Sequence, residues 1–123
     1  MRFLHVITLG FTAIMSPMVS LAASIQVLTS NHADGRSVPA EIYVSGPLTE
    51  SVTRNVVNAL DQHEITKGTI YLDSEGGDLS ASIMFGEFIR RTGFNTAIGR
   101  QGQAYGQPSP GSCQSACVMS FAA

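Results

Sequence analysis

The sequence predicts an α/β fold with a mainly parallel sheet. Two observations carry that reading: strand-like and helix-like stretches alternate along the chain, and glycine or proline turns separate them. Ser24–Thr29 (SIQVLT) is a short β-like run, followed by the polar loop Ser30–Pro39. Ala40–Ser45 sets Ile42 and Val44 in alternation with Glu41 and Tyr43, a strand signal that Gly46-Pro47 ends. From Leu48, the apolar residues Val52, Val56, Ala59 and Leu60 recur at helical spacing, with Thr49 or Ser51 placed to cap the start. Gly68 divides this helix from a second strand, Thr69–Asp73 (TIYLD).

The next turn is Ser74-Glu75-Gly76-Gly77-Asp78, in which Asp78 is suited to an N-cap. Ala81, Met84, Phe85, Phe88 and Ile89 form the following helical stripe. Arg90 and Arg91 complement the helix dipole in the last turn, and Gly93 suits the position just past its end. Phe94–Ile98 (FNTAI) is a third strand after Ala40–Ser45, and Gln101–Ser112 is a Gly/Gln/Pro/Ser loop without periodicity. Cys113–Ala123 is small and apolar and starts like a helix. Strands separated by helices imply right-handed β-α-β crossovers, hence parallel neighbours.

The 123 residues carry a formal charge of −2 with 13% charged side chains. That balance excludes a nucleic-acid-binding tail, a polybasic membrane patch and an acidic disordered segment. Met1–Ala23 joins a short positive start at Arg2 to the apolar run Phe3–Met15, a helix-breaking Pro17 and the small residues Ser20, Ala22 and Ala23 around Leu21. This is the pattern of a secretory signal peptide, with cleavage expected after Ala22 or Ala23. An uncleaved anchor is the alternative, disfavoured by the polar interruptions and Pro17. Cleavage leaves Ser24–Ala123, about 100 residues, as one domain with no membrane anchor. A periplasmic or secreted location follows.

Export would place Cys113 and Cys117 in an oxidising compartment. Their spacing admits a local disulfide, and two buried free thiols are the other reading. Neither His32 nor His63 lies near them in sequence, so the pair makes a poor zinc site, and no metal or cofactor is expected. Two segments can carry chemistry. Gly76-Gly77, between a strand end and a helix start, can turn backbone N–H groups toward a developing oxyanion, or can be a plain connection. In Gly111-Ser112-Cys113-Gln114-Ser115-Ala116-Cys117, a serine opening a helix can present its hydroxyl as a nucleophile elbow does, or can simply cap that helix.

Taken together, Leu72-Asp73-Ser74-Glu75-Gly76-Gly77-Asp78-Leu79, Arg90-Arg91-Thr92-Gly93 with Thr96, and Cys113-Gln114-Ser115-Ala116-Cys117 with Phe121-Ala122-Ala123 resemble the ClpP/crotonase-like superfamily, in particular its exported ClpP-like branch. The resemblance covers about Ala40–Ala123. It implies part of a β-α-β superhelix, and acyl transfer on peptide or protein substrates. Ser115 would be the nucleophile, Gly76 and Ala116 would supply the oxyanion amides, and Gly77 would shape the turn. Glu75 departs from the proline usual in the family, placing a charge beside the site. The Gln101–Ser112 loop reads as an insertion before the elbow, a lid in this picture, with Tyr105 either a substrate contact or a surface aromatic.

In the superfamily the protease histidine and aspartate follow the serine. Only eight residues follow Ser115, and none is His, Asp, Glu or Lys. The expectation is therefore a chain cut after the nucleophile motif, the N-terminal part of its domain, and inactive as it stands. A non-catalytic binding or assembly module of the same fold is the alternative. A crotonase-like acyl-CoA enzyme is a third reading, which the export signal disfavours. Ring assembly among relatives leaves a homo-oligomer open.

Overall fold

A computed structural model of the chain describes residues 22–30 and 38–123. The targeting segment expected at Met1–Ala23 lies outside the described residues as far as position 21, as does the loop 31–37 with His32. The elements are β1 (Ser24–Leu28), β2 (Ala40–Ser45), α1 (Val52–Gln62), β3 (Gly68–Asp73), α2 (Leu79–Thr92), β4 (Asn95–Ile98) and α3 (Cys117–Phe121).

The strands form one open sheet in the order β1-β2-β3-β4. β3 pairs in parallel with β2 (Ile42 opposite Ile70, Val44 opposite Leu72) and with β4 (Leu72 opposite Ile98). β1 runs antiparallel to β2, with Ser24 opposite Ser45 and Leu28 opposite Glu41. The sheet is thus mixed, where the sequence led us to expect a mainly parallel one. The connection 29–39 is shorter than the dozen or so residues that a parallel crossover takes, so the second strand returns alongside the first.

One face of the sheet carries the core. Ile42, Val44, Ile70 and Leu72 point to it and meet Val52, Val56 and Leu60 of α1 and Phe85 and Ile89 of α2, all buried. The period-two strand pattern and the helical stripes therefore converge on one apolar layer, except that Met84, expected in the α2 stripe, faces solvent. Asp78 caps α2, its Oδ1 accepting from the Ala81 N–H at 2.7 Å. Gly93 closes the same helix in the left-handed region (φ 77°), with Arg90 and Arg91 in the last turn. Ser51 holds the N-cap position of α1 without a side-chain cap bond. Its hydroxyl lies instead 3.2 Å from Thr49 Oγ1.

The opposite face is polar but closed. Glu41 is only 4% exposed and Tyr43 1%, and the Tyr43 ring stacks on Tyr71 at a centroid distance of 4.8 Å. The Tyr43 hydroxyl donates to Glu41 Oε2 at 2.6 Å, and the Gly106 N–H donates to Glu41 Oε1 at 2.5 Å. The loop that supplies Gly106 is tied at its base, where Arg100 and Ser109 exchange backbone bonds of 2.9 and 2.8 Å. The Tyr105 hydroxyl donates to the Pro39 carbonyl. Burial, then the hydrogen bond to Glu41, pushes the Tyr43 hydroxyl well above its ordinary pKa. Burial and the Glu41 charge also raise Tyr71 and Tyr105. The expected lid is therefore a cover on the second face of the sheet, and Tyr105 serves to fasten it.

Candidate functional site

Ser74–Asp78 leaves the carboxyl end of β3 and is gripped from both sides. On the β2 side, the Leu48 N–H donates to the Gly76 carbonyl at 2.8 Å, and the Asp78 N–H donates to the Leu48 carbonyl at 2.9 Å. On the other side, the Ser74 N–H donates to the Ser112 carbonyl at 2.7 Å, and the Gln114 N–H to the Ser74 carbonyl at 2.9 Å. Asp73 Oδ1 adds a bond of 2.9 Å from the Ser112 N–H. These bonds hold Cys113 as a one-residue parallel bridge to Ser74. That is why the last helix begins at Cys117 and not at Cys113, where the composition suggested a helical start. The extended bridge captures the first residues of the run before a helix can form.

Between bridge and helix, Ser115 adopts φ 52°, the left-handed region that few non-glycine residues occupy; Glu64, past the end of α1, is the other among the described residues. Turn bonds from the Cys117 N–H to Gln114 and from the Val118 N–H to Ser115, each 3.1 Å, define the bend. Ser115 is exposed. A disulfide joins Cys113 to Cys117 across this turn. Behind it, α3 lies close on α2: a Cβ added at Gly86 would stand 2.8 Å from the Met119 carbonyl oxygen, and the Ser120 hydroxyl donates to the Ser82 carbonyl at 2.6 Å.

The glycine turn and the serine turn touch. A Cβ built on Gly76 would fall 3.0 Å from Ser115 Cβ, 3.2 Å from the Gln114 carbonyl oxygen and 3.3 Å from the Ala116 nitrogen. Gly76 and Gly77 have φ of 120° and 143°, and a Cβ on Gly77 would lie 2.4 Å from the Leu48 carbonyl oxygen. Only glycine fits either place. The four residues singled out in the sequence, Gly76, Gly77, Ser115 and Ala116, are thus brought together from positions some forty residues apart.

One detail departs from expectation. The Gly76 N–H, expected to be an oxyanion donor, is already bonded to Ser74 Oγ at 3.1 Å, and the same hydroxyl donates to the Gly76 carbonyl. Because a trans peptide sets its C=O and N–H in opposite directions, a Gly76 carbonyl aimed at Leu48 turns the Gly77 N–H away from Leu48. Among the described residues neither the Gly77 nor the Ala116 N–H has a hydrogen-bond partner. Ser74, buried and bonded through both backbone and side chain, is the residue that sequence reasoning missed. A small buried serine leaves no periodic mark, and only its place in the turn, two residues before Gly76, hinted at a role.

His63 sits past the end of α1, beside Thr29, Ser30 and Lys67, at the amino ends of β2 and β3. The length of β3 separates it from Ser115, roughly 17 Å at the rise of a strand. Among the described residues no three His, Cys, Asp or Glu side chains group as metal ligands, and no helix is long and apolar enough to cross a membrane. Comparisons of the chain with protein-family models, with curated proteins and with solved structures found no match.

Proposed function

We propose that this chain carries the nucleophile and oxyanion elements of an exported ClpP-like serine peptidase. The observation that carries the proposal is the contact between the Gly76 turn and a strained, exposed Ser115. An acyl-transfer site needs a hydroxyl free to reach a carbonyl carbon and fixed N–H donors where negative charge develops on the carbonyl oxygen. Ser115 is the attacking group. Ala116, the residue after the nucleophile, offers one amide, and Gly77 offers the second, in place of Gly76, whose N–H is held by Ser74. Gly76 keeps its importance as a spacer, since any side chain there would push the serine turn away.

The Ser115 proton must pass to a base, and His63 is at the wrong end of the sheet to accept it. The base in this proposal is the histidine that the resemblance implies, brought to Ser115 from outside the residues described. The superhelical completion of the fold belongs to the same proposal, as does an exported location. Labelling of the native protein from its source cells with a fluorophosphonate tests it. The expected outcome is covalent modification at Ser115 that Ser115→Ala abolishes. Labelling that is absent, or equal in Ser115→Ala, overturns the proposal and leaves a non-catalytic binding module of the same fold.

A further inference from the structure

The Cys113–Cys117 disulfide encloses Gln114, Ser115 and Ala116, the whole of the serine turn, and nothing else. Its two ends belong to different structures: Cys113 to the bridge on Ser74, Cys117 to the first turn of α3. Cys117 is wholly buried in the core, whereas Cys113 is partly exposed. Within the loop, Ser115 holds a left-handed conformation that a free chain seldom occupies. Besides the disulfide, the bend is held by backbone bonds from the Gln114 N–H to Ser74, the Cys117 N–H to Gln114, the Val118 N–H to Ser115 and the Met119 N–H to Ala116.

From this arrangement we infer that the disulfide is a redox-addressable clamp on the Ser115 turn, opened by a dithiol reductant of the thioredoxin-like class. This rests on the proposed role of Ser115 for its functional meaning, but not for its structural content. The thiolate of the reductant attacks Cys113 Sγ, the partly exposed residue of the pair. A mixed disulfide forms there, the Cys113–Cys117 bond breaks, and Cys117 leaves as a thiolate that takes up a proton. The second thiol of the reductant then attacks its own sulfur in the mixed disulfide, closing the reductant's disulfide and releasing Cys113, which is also protonated. Two electrons and two protons pass to the protein. Freed of the link, Ser115 relaxes toward ordinary backbone angles and the Ala116 amide leaves its place beside Gly76.

Amide hydrogen exchange on the full chain, read by mass spectrometry before and after reduction with a dithiol, tests the clamp. The expected result is exchange faster by about tenfold or more over 112–119, the scale set by loss of a short-loop cross-link, with β2 and β3 unchanged and protection restored on reoxidation. The double variant C113S/C117S is expected to match the reduced protein without any reductant. No change over 112–119 overturns the inference, as does equal acceleration across the sheet, which would make the disulfide a general staple. Fluorophosphonate labelling run in parallel keeps the two readings apart. An oxidised protein that takes no label while the local exchange difference persists removes the serine proposal and leaves the clamp standing.

Discussion

The two faces of this sheet are closed in different ways. On the first, Ile42, Val44, Ile70 and Leu72 meet two helices, and the layer is apolar throughout. On the second, a carboxylate and two stacked tyrosines lie beneath an irregular loop. Apolar burial is non-directional and tolerates small shifts of its partners. The second face depends instead on a few directed bonds, of which Glu41 accepts two, so its closure is specific and fragile. The same loop continues through Ser109 and Gly111 into the Ser112–Ser115 segment. The face held by few bonds is thus the one that leads into the candidate site.

Substitution should separate these two kinds of closure. Phe85→Ala, in the centre of the apolar layer, is expected to cost about 3–5 kcal/mol in chemical denaturation, enough to threaten the whole fold. Glu41→Ala is expected to cost less, about 2 kcal/mol, because it strands the Tyr43 hydroxyl and the Gly106 N–H without emptying the core. Its second signature is local: proteolytic cleavage within 101–108 should speed up while circular dichroism stays unchanged. Cleavage no faster in Glu41→Ala would mean that the loop does not depend on the carboxylate, whereas equal costs for the two variants would make the polar face as essential to the fold as the core.

The apolar face was legible because its residues repeat: Ile42 and Val44, Ile70 and Leu72, and the stripes of α1 and α2 need no partner to be recognised. The direction of β1 was not, since an alternating strand looks the same whichever way it pairs. The burial of Glu41 was not legible either, for buried carboxylates are rare and its partner amide lies 65 residues away. At the candidate site, Gly76-Gly77 and Ser115 stood out by type and order, and the Asp78 cap by position. What escaped was the direction of individual N–H groups. The bond from the Gly76 amide to Ser74 Oγ follows from a turn geometry that composition does not reveal.

The smallest expected effect probes the polar face through its titration. The ordinary phenol pKa is 10.0, and burial followed by the Glu41 hydrogen bond raises that of Tyr43 in the folded protein. Above that ordinary value the unfolded chain gives up the Tyr43 proton while the folded chain keeps it. The contribution is therefore fully present below pH 10.0 and is lost as the solution becomes more alkaline, with Tyr71 and Tyr105 shifted in the same sense. Tyr43→Phe should lower stability by about 1 kcal/mol near neutral pH, since Glu41 loses a donor. It should also flatten the alkaline decline in urea midpoint, because one of the three tyrosines no longer titrates. An unchanged decline would show that Tyr43 ionises as freely in the folded chain as in the unfolded one. The second face would then be open to water, and the contrast between the two faces would fail.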